Sequence, residues 1–248
     1  MIVNTGAGRS ALSDGAVRRL GLPLGDVPKV LVHGVTGSQS VPMVRVDSMT
    51  LGNLNRLSIA LPVLSTAVGA ADGYLSLADF VTDGILLDVQ HNRIWLPHGS
   101  FRRPACPGSA LLRMDPTDER VIVVAASVQG TPVKAIIDTG ANATLGNLAL
   151  YQALTDRVPN GMIEARRMNT SMGGSLRGPV PLPALELGSL RVMGAAIRYG
   201  SIGLLEHLGL TDVPTLLMGM DILGSFGAID LNFELRTVRI DPPKRKGR

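Results

Sequence analysis

The sequence of 248 residues has few aromatic side chains, a single cysteine and no long apolar run. Aromatic residues make up 3% of the chain, which argues against a nucleic-acid surface built on base stacking. The single cysteine, Cys106, excludes an intrachain disulfide framework. The longest charge-free apolar run, residues 57–71, is short and contains Pro62, so no membrane-spanning segment is predicted.

The sequence also has few candidate metal ligands and a small net charge. The histidines are scattered and no ligand pair has metal-binding spacing, so neither a metal nor another cofactor is predicted. The net charge is +4, and four residues account for all of it: Lys244, Arg245, Lys246 and Arg248. We interpret residues 242–248 as a solvated basic tail and expect no nucleic-acid partner. The sequence as it stands shows no signal peptide, and the compartment stays open.

An internal repeat is the main feature that is present. Residues 2–8 read Ile-Val-Asn-Thr-Gly-Ala-Gly, and residues 136–142 read Ile-Ile-Asp-Thr-Gly-Ala-Asn. Aspartates then recur at the same spacing in both halves, at Asp79 and Asp88 and at Asp221 and Asp230. A repeat this long indicates a duplicated domain and not a solenoid.

The repeat divides the chain into two lobes. We predict lobe one at residues 1–97, a proline-containing linker at residues 98–119, and lobe two at residues 120–241. Each lobe has short β-branched runs separated by turn signals, with one brief helical patch, at residues 14–20 and 147–154. This pattern of short runs and turns predicts a mainly β fold with closed or barrel-like lobes.

The Asp-Thr-Gly order has a chemical logic. An apolar strand carries an aspartate to its end, and the glycine permits a sharp turn. The threonine hydroxyl can bond to the same loop of a second copy. Two such loops at a two-fold axis bring two carboxylates together, and these share one proton because both cannot ionise cheaply. The ionised group then takes a proton from an attacking water, and the protonated group donates to the substrate carbonyl oxygen.

With these segments the chain resembles the retropepsin-like aspartic proteases. The resemblance is carried by residues 136–144 and by residues 216–223, which look like the family's apolar-apolar-glycine strand behind the catalytic loop. It implies two pseudo-symmetric β-barrel lobes, endopeptidase activity in the cleft between them, and a peptide or protein substrate. The implied catalytic positions are Asp138 and its degenerate partner Asn4. The implied supporting residues are Thr5, Gly6, Ser10, Thr139, Gly140, Ala141, Thr144 and Gly219. The candidates for a flap over the substrate are Thr36, Gly37 and Ser38 in lobe one and Met172, Gly173 and Gly174 in lobe two.

Lobe one departs from the family pattern in three ways. Asn4 stands where the family has an aspartate, and an amide cannot hold the shared proton. Lobe one lacks a counterpart of the hairpin at residues 120–137, which leaves open whether the chain naturally begins at Met1. Leu77 aligns with Gly219 when the downstream aspartates are matched. We therefore expect peptidase activity to be reduced.

Three alternatives remain open from the sequence. The first is a non-catalytic pseudoprotease that binds extended peptides. The second is a dinucleotide site, because residues 6–11 fit Gly-x-Gly-x-x-Ala and Asp26 follows at a suitable distance. The third concerns assembly: a monomer is expected, and the alternative is a dimer that pairs two copies of lobe two.

Overall fold

The computed structural model describes residues 1–24, 27–35, 37–65, 70–80, 83–96, 104–116, 121–156, 167–169 and 175–243. Short strands joined by turns dominate these residues, which confirms the mainly β fold expected from the sequence. The first strands along the chain are β1 (Ile2–Asn4), β2 (Ala11–Ser13), β3 (Val27–Gly34), β4 (Gly37–Leu51), β5 (Leu54–Leu64), β6 (Gly73–Ser76), β7 (Gly84–Asp88), β8 (Arg93–Trp95) and β9 (Ala110–Arg113).

The second half of the chain also consists mainly of short strands joined by turns. Its strands are β10 (Val123–Val128), β11 (Thr131–Ile137), β12 (Leu145–Gly146), β13 (Arg167–Asn169), β14 (Ser175–Pro181), β15 (Leu185–Leu187), β16 (Leu190–Val192), β17 (Ala196–Gly200), β18 (Thr215–Met218), β19 (Ala228–Asn232) and β20 (Thr237–Asp241). The described α-helices are short: α1 (Asp14–Arg19), α2 (Leu148–Thr155), α3 (Gly203–His207) and α4 (Met220–Leu223). Two 3₁₀ turns add Leu77–Asp79 and Val89–His91.

The described strands form three sheets. Lobe one holds a six-stranded sheet in the order β1-β6-β2-β5-β4-β3. Lobe two holds a nine-stranded sheet in the order β13-β14-β17-β12-β18-β11-β10-β15-β16. A third sheet of five strands, β8-β7-β19-β20-β9, takes strands from both halves. Backbone pairing between β7 and β19, with Leu87 opposite Ile229, therefore joins the two lobes.

The segment that we expected to be a linker contributes one of these strands. Within residues 98–119 the structure describes 104–116, and Ala110–Arg113 forms β9, antiparallel to β20. Ala110 and Leu112 are buried whereas Leu111 is exposed, which is the alternation of a strand with one covered face. The expectation of a plain linker did not foresee this strand, and the lobe boundaries themselves stay a prediction.

The two lobes share one strand plan. In lobe one, β6 pairs in parallel with β1 and antiparallel with β2. In lobe two, β18 pairs in parallel with β11 and antiparallel with β12. The next strands also correspond, because β2 runs parallel to β5 and β12 runs parallel to β17. These matching pairs define a pseudo-two-fold axis between the lobes.

The strand arrangement of the two lobes differs at the outer side of β1 and β11. In lobe two, β10 pairs along the whole of β11 and also reaches β15. In lobe one, no strand among the described residues pairs with the outer side of β1, which ends the six-stranded sheet. The sequence likewise has a hairpin before Asp138, at residues 120–137, and no counterpart of it before Asn4.

Apolar packing is also uneven between the lobes. The largest buried cluster runs through the shared sheet, with Ile85 and Leu87 from one half and Ile229 and Leu231 from the other. A separate cluster within lobe one is small, and its buried members are Leu12, Ala16, Val17, Val44, Leu61 and Val63. Burying an aliphatic side chain contributes about 1.5–3 kcal/mol to the free energy of folding. The outer part of lobe one, with its smaller cluster, therefore gains less stabilisation from apolar burial.

Backbone hydrogen exchange should follow this difference. We expect the amides of β1 to β5 to exchange faster than those of β10 to β18, because β1 ends its sheet and its lobe has the smaller core. Strand β7 serves as an internal control, since it lies between β8 and β19 in the shared sheet and should be protected like β19. Equal protection of β1 to β5 and β10 to β18, measured by mass spectrometry, would contradict the expectation.

Candidate active site

Two equivalent loops meet at the pseudo-two-fold axis. Strand β1 ends at Asn4, and β11 ends one residue before Asp138. The parallel neighbours β6 and β18 hold the two strand ends in the same direction. The same topology in each lobe therefore carries the third residue of each repeat to one place in the fold.

The threonines of the two loops bond reciprocally across the axis. The backbone N–H of Thr5 donates to Oγ1 of Thr139 at 3.1 Å, and the N–H of Thr139 donates to Oγ1 of Thr5 at 3.1 Å. Each hydroxyl then donates at 2.8 Å to a carbonyl of the opposite lobe, Thr5 to Ile137 and Thr139 to Val3. Every donor and acceptor of this lock is satisfied by the other lobe, which fixes the spacing of the two loops.

The side chains of Asn4 and Asp138 lie against each other's loops. Oδ1 of Asn4 accepts from the N–H of Gly6 at 2.8 Å, and Oδ1 of Asp138 accepts from the N–H of Gly140 at 2.9 Å. A Cβ at Gly6 would lie 2.5 Å from Cγ of Asp138, and a Cβ at Gly140 would overlap the amide of Asn4. Both glycines are therefore required by close packing, and both side chains occupy the same small region at the axis.

Asp138 is the titratable group of this pair. Its side chain is buried, with 6% of the residue exposed. Burial raises the pKa of the Asp138 carboxyl group above its ordinary value, because a charged group is poorly solvated there. Backbone N–H groups of both loops oppose the rise, chiefly that of Gly140 and then that of Gly6. A raised carboxyl pKa is typical of a group that works as a base or an acid.

Tyr74 is a residue near Asp138 that the sequence reasoning missed. It lies on β6 beside Ile2 of β1, half-buried. Burial and then the negative charge of Asp138 raise the pKa of the Tyr74 phenol, which places the two groups within electrostatic reach. In the sequence Tyr74 reads only as part of a short apolar strand, so no signal there could have separated it from a core residue.

A second pair of contacts supports each loop from behind. In lobe two, Asp221 accepts from the N–H of Thr144 at 2.9 Å and from its hydroxyl at 2.7 Å. In lobe one, Asp79 accepts from the N–H of Ser10 at 2.7 Å. The matched aspartates of the repeat thus brace the matched hydroxyl residues, and Ser10 and Thr144 are both fully buried.

The hydrogen bonds correct the alignment of Leu77 with Gly219. The N–H of Gly219 donates to Oγ1 of Thr144 at 3.1 Å, and the N–H of Ser76 donates to Oγ of Ser10 at 2.9 Å. Ser76 therefore occupies the position of Gly219, and lobe one has one extra residue before its aspartate. Leu77 points into the main core and is not a defect of the loop.

Ser76 also explains how lobe one tolerates a side chain at this position. In lobe two, a Cβ on Gly219 would lie 2.7 Å from the carbonyl carbon of Ala143, and Met220 N–H donates to Ala141 O at 2.7 Å. In lobe one, the hydroxyl of Ser76 itself donates at 2.6 Å to the carbonyl of Ala7, the counterpart of Ala141. The Ser76 hydroxyl thus takes the place of the Met220 N–H as donor, and the lobe-one loop keeps the equivalent hydrogen bond.

One flap candidate can be located. Strands β3 and β4 form a hairpin in which Gly34 pairs with Gly37 and His33 with Ser38. Gly37 and Ser38 thus lie at its tip, and the tip contacts lobe two through Gly203 N–H, which donates to Val35 O at 3.1 Å. Thr36 and the second group of candidates, Met172, Gly173 and Gly174, lie outside the described residues.

The dinucleotide alternative does not fit the local structure. A dinucleotide fingerprint needs a helix to begin within its glycine-rich turn, so that the helix N-terminus faces a phosphate. Here residues 6–11 run into strand β2, and α1 begins only at Asp14. Gly6 packs against the carboxyl group of Asp138 and leaves no room for a phosphate. Asp26 lies outside the described residues.

Two absences hold for the described part of the chain alone. No group of three or more histidine, cysteine, aspartate or glutamate side chains there could hold a metal ion. No helix there has the length and apolar character needed to cross a membrane.

Fold and site together define a bilobal β protein in which each lobe contributes one Asp-Thr-Gly-type loop to a shared axis. A family model described as aspartyl protease matches residues 1–85 and 124–222, well over half of the chain, so the chain belongs to the aspartyl protease family. The resemblance seen in the sequence is confirmed at this level. The chain is also similar to the crystal structure of a retropepsin-like aspartic protease from Rickettsia conorii, with 15% identity and a TM-score of 0.38. That match covers 54% of this chain and 89% of the other. No curated protein sequence matches the chain.

The glycine contacts give a direct test of the site geometry. A Gly6→Ala variant should lose about 1–3 kcal/mol of stability, because the new methyl group would push the Asp138 carboxyl group aside. The matched control is Gly15→Ala in α1, where the nearest atom is Ser13 Oγ at 3.9 Å and the change should be harmless. Thermal unfolding measures the stability effect even if activity is too low to follow. Equal melting temperatures for the two variants would contradict the close packing at Gly6.

Proposed function

We propose that this chain is an aspartic endopeptidase that hydrolyses extended peptides in the cleft between its lobes, at a rate reduced by Asn4. The observation that carries the proposal is the buried carboxyl group of Asp138, held by Gly140 at 2.9 Å beside the loop of Asn4. A buried carboxylate at the junction of two lobes is costly to keep, since burial disfavours its charged form. A residue that carries such a cost is typically retained for its function and not for the stability of the fold.

Asp138 acts as the general base in this scheme. Its ionised carboxylate takes a proton from a water molecule as the water oxygen bonds to the substrate carbonyl carbon. The protonated Asp138 then gives that proton to the leaving nitrogen, and the C–N bond breaks. Atoms and charge balance without any further reactant.

Asn4 can perform only part of the partner's work. Its Oδ1 accepts from Gly6, so its Nδ2 is left to donate toward the substrate. An amide N–H can stabilise the developing charge on the carbonyl oxygen, but it cannot transfer a proton to it. General acid–base catalysis contributes about 10²–10⁴ in rate, and the proposed loss lies within that range.

A non-catalytic role in binding peptides is the second candidate, and Asn4 is the observation that favours it. In this reading the cleft pairs with an extended ligand through backbone hydrogen bonds and does not cut it. The threonine lock and the braced loops support both candidates equally, because they preserve the cleft whether or not the reaction occurs.

A peptide-library cleavage assay separates the two candidates. The chain is incubated with mixed peptides between pH 3 and pH 8, and new termini are identified by mass spectrometry. Cleavage that disappears in an Asp138→Asn variant supports the peptidase. Peptides that are retained on the immobilised protein but never cut support the binding role. A hydroxyl-containing transition-state mimic is not decisive, since its binding can survive the loss of cutting.

Activity should be linear in protein concentration. The lock that pairs Thr139 with Thr5 already occupies the axis surface of lobe two within one chain. A second copy of lobe two would have to displace a partner present at high effective concentration. Activity that rises with the square of protein concentration would instead support a lobe-two dimer with two Asp138 carboxyl groups.

A further inference from the structure

The β3–β4 hairpin crosses from lobe one to lobe two and is fastened there. Gly203, the first residue of α3, donates its N–H to Val35 O at 3.1 Å. A Cβ at Gly203 would lie 2.8 Å from Cα of Gly37 and 3.0 Å from the carbonyl oxygen of Gly34. The backbone of the hairpin tip therefore rests directly on the backbone of α3, without intervening side chains.

The same crossing places the hairpin near the candidate active site. Val35 packs on a buried cluster of lobe two that includes Ile202, Leu205 and Leu217. Ala141, three residues after Asp138, packs against the same cluster. The fastened hairpin thus packs on the same cluster as the loop that carries Asp138.

Two histidines face each other at this crossing. The rings of His33 on β3 and His207 on α3 are stacked, with centroids 4.3 Å apart and planes inclined by 11°. Nδ1 of His33 also contacts Oγ of Ser38 at 2.8 Å, which holds the ring in place. Neutral rings stack favourably, whereas two imidazolium rings at this separation repel each other.

We propose that His33 and His207 form a latch that holds the hairpin on lobe two at neutral pH and releases it in acid. Histidine is the side chain that ordinarily changes charge between pH 5 and pH 8. The proposal concerns the regulation of the site and so rests on the proposed peptidase function for its purpose. The movement of the hairpin can nevertheless be measured without any catalysis.

Other charges along the contacting elements modify this latch. Glu206 precedes His207 in α3 and adds a negative charge beside the crossing. On the hairpin, Lys29 lies further back on β3, and Arg45 and Asp47 lie beyond the tip on β4. Arg45 is directed to Ser58 of β5. Among the residues that the structure describes, the stacked histidines are the ionisable side chains shown in contact across the crossing.

The size of the effect follows from the ring separation. Two unit charges about 4 Å apart in water repel by an amount equal to a factor of about five in an equilibrium constant. Partial shielding from water increases this factor. We therefore expect the open fraction of the hairpin to rise at least about five-fold between pH 8 and pH 5.

A distance measurement between nitroxide labels tests the latch. Labels are placed at the exposed residues Gln39 and Asp212, as cysteines in a Cys106→Ser background, and distances are measured by pulsed electron paramagnetic resonance. Gly203→Ala supplies the reference for the open state at every pH, because its methyl group cannot coexist with the docked tip. The unaltered histidines should give the short distance at pH 8 and a mixture with the long distance at pH 5.

Matched variants separate the latch from other effects of acid. His33→Phe keeps a stacked ring without a titrating nitrogen, so its hairpin should stay closed at pH 5. His91→Gln is the control, since His91 lies in the 3₁₀ turn after β7 and pairs with Asp88 and not with the hairpin, and it should behave like the unaltered chain.

The outcomes are distinct from those of the cleavage assay. A distance that does not change with pH, or a His33→Phe variant that opens as fully as the unaltered chain, overturns the latch even if peptides are cut. Acid-dependent opening that His33→Phe abolishes supports the latch even if no peptide is cut, and then the proposed function is what fails.

Discussion

An Asn4→Asp variant is expected to cut extended peptides about 10²–10⁴ times faster than the unaltered chain in acid, because it restores a proton-sharing pair. The new carboxyl group would lie against Gly140, on the loop of Asp138. Two neighbouring carboxyl groups drive their pKa values apart, and the pair works while it carries one proton. The pH profile of kcat/KM should therefore be bell-shaped.

The unaltered chain should show a different profile. Asn4 does not titrate, so activity should rise with pH as Asp138 ionises and then reach a plateau. The control for a contaminating protease is the double variant Asn4→Asp, Asp138→Ala, which should be inactive. A folded Asn4→Asp variant without activity would contradict the prediction. The missing counterpart of β10 would then be the remaining defect of lobe one, and the peptide-binding role would be the better reading.

An Asp138→Asn variant is expected to lose activity by at least about 10²-fold and yet to unfold at a higher temperature at pH 7. Burial raises the pKa of Asp138 in the folded state, so the folded protein binds the proton more tightly than the unfolded chain. The carboxyl group therefore favours folding in acid, and that contribution is lost as the pH rises through the raised pKa. An amide of the same shape removes the cost of the buried charge at pH 7.

The stability gain should disappear in acid. Below the ordinary aspartate pKa of about 3.9, both states of the unaltered chain are protonated, and the two proteins should melt at similar temperatures. Asp221→Asn is the matched control, because Asp221 accepts from Thr144 at both oxygens and its replacement should lower the melting temperature at pH 7. A lower melting temperature for Asp138→Asn at pH 7 would show that the buried carboxylate is not a cost to the fold.

The sequence was sufficient to predict which loops come together. The repeated Asn/Asp-Thr-Gly pattern specifies equivalent turns at equivalent strand ends, and a duplicated fold must place them symmetrically. The helical patches at residues 14–20 and 147–154 also correspond to α1 and α2. Side-chain caps explain this local success, since Ser13 and Asn147 each accept a hydrogen bond from the first turn of the helix that follows. The catalytic roles of the loop residues stay predictions.

Long-range contacts were beyond the reach of the sequence. Matching the aspartates concealed the extra residue of lobe one, and only the bonds of Ser10 and Thr144 show that Ser76 is the true counterpart of Gly219. Strand β9 is too short for its alternation to be recognised among prolines. The contact of His33 with His207 joins residues far apart in the chain, and neither has a local pattern that indicates a partner.

The sheet that takes strands from both halves has a consequence for biosynthesis. Strand β7 is made early, but its neighbour β19 is synthesised only after most of lobe two. Until then the apolar side chains of β7 lack their cover, and lobe one cannot complete its fold alone. Nascent or prematurely terminated chains should therefore engage chaperones, and the two halves should fold in one late cooperative step.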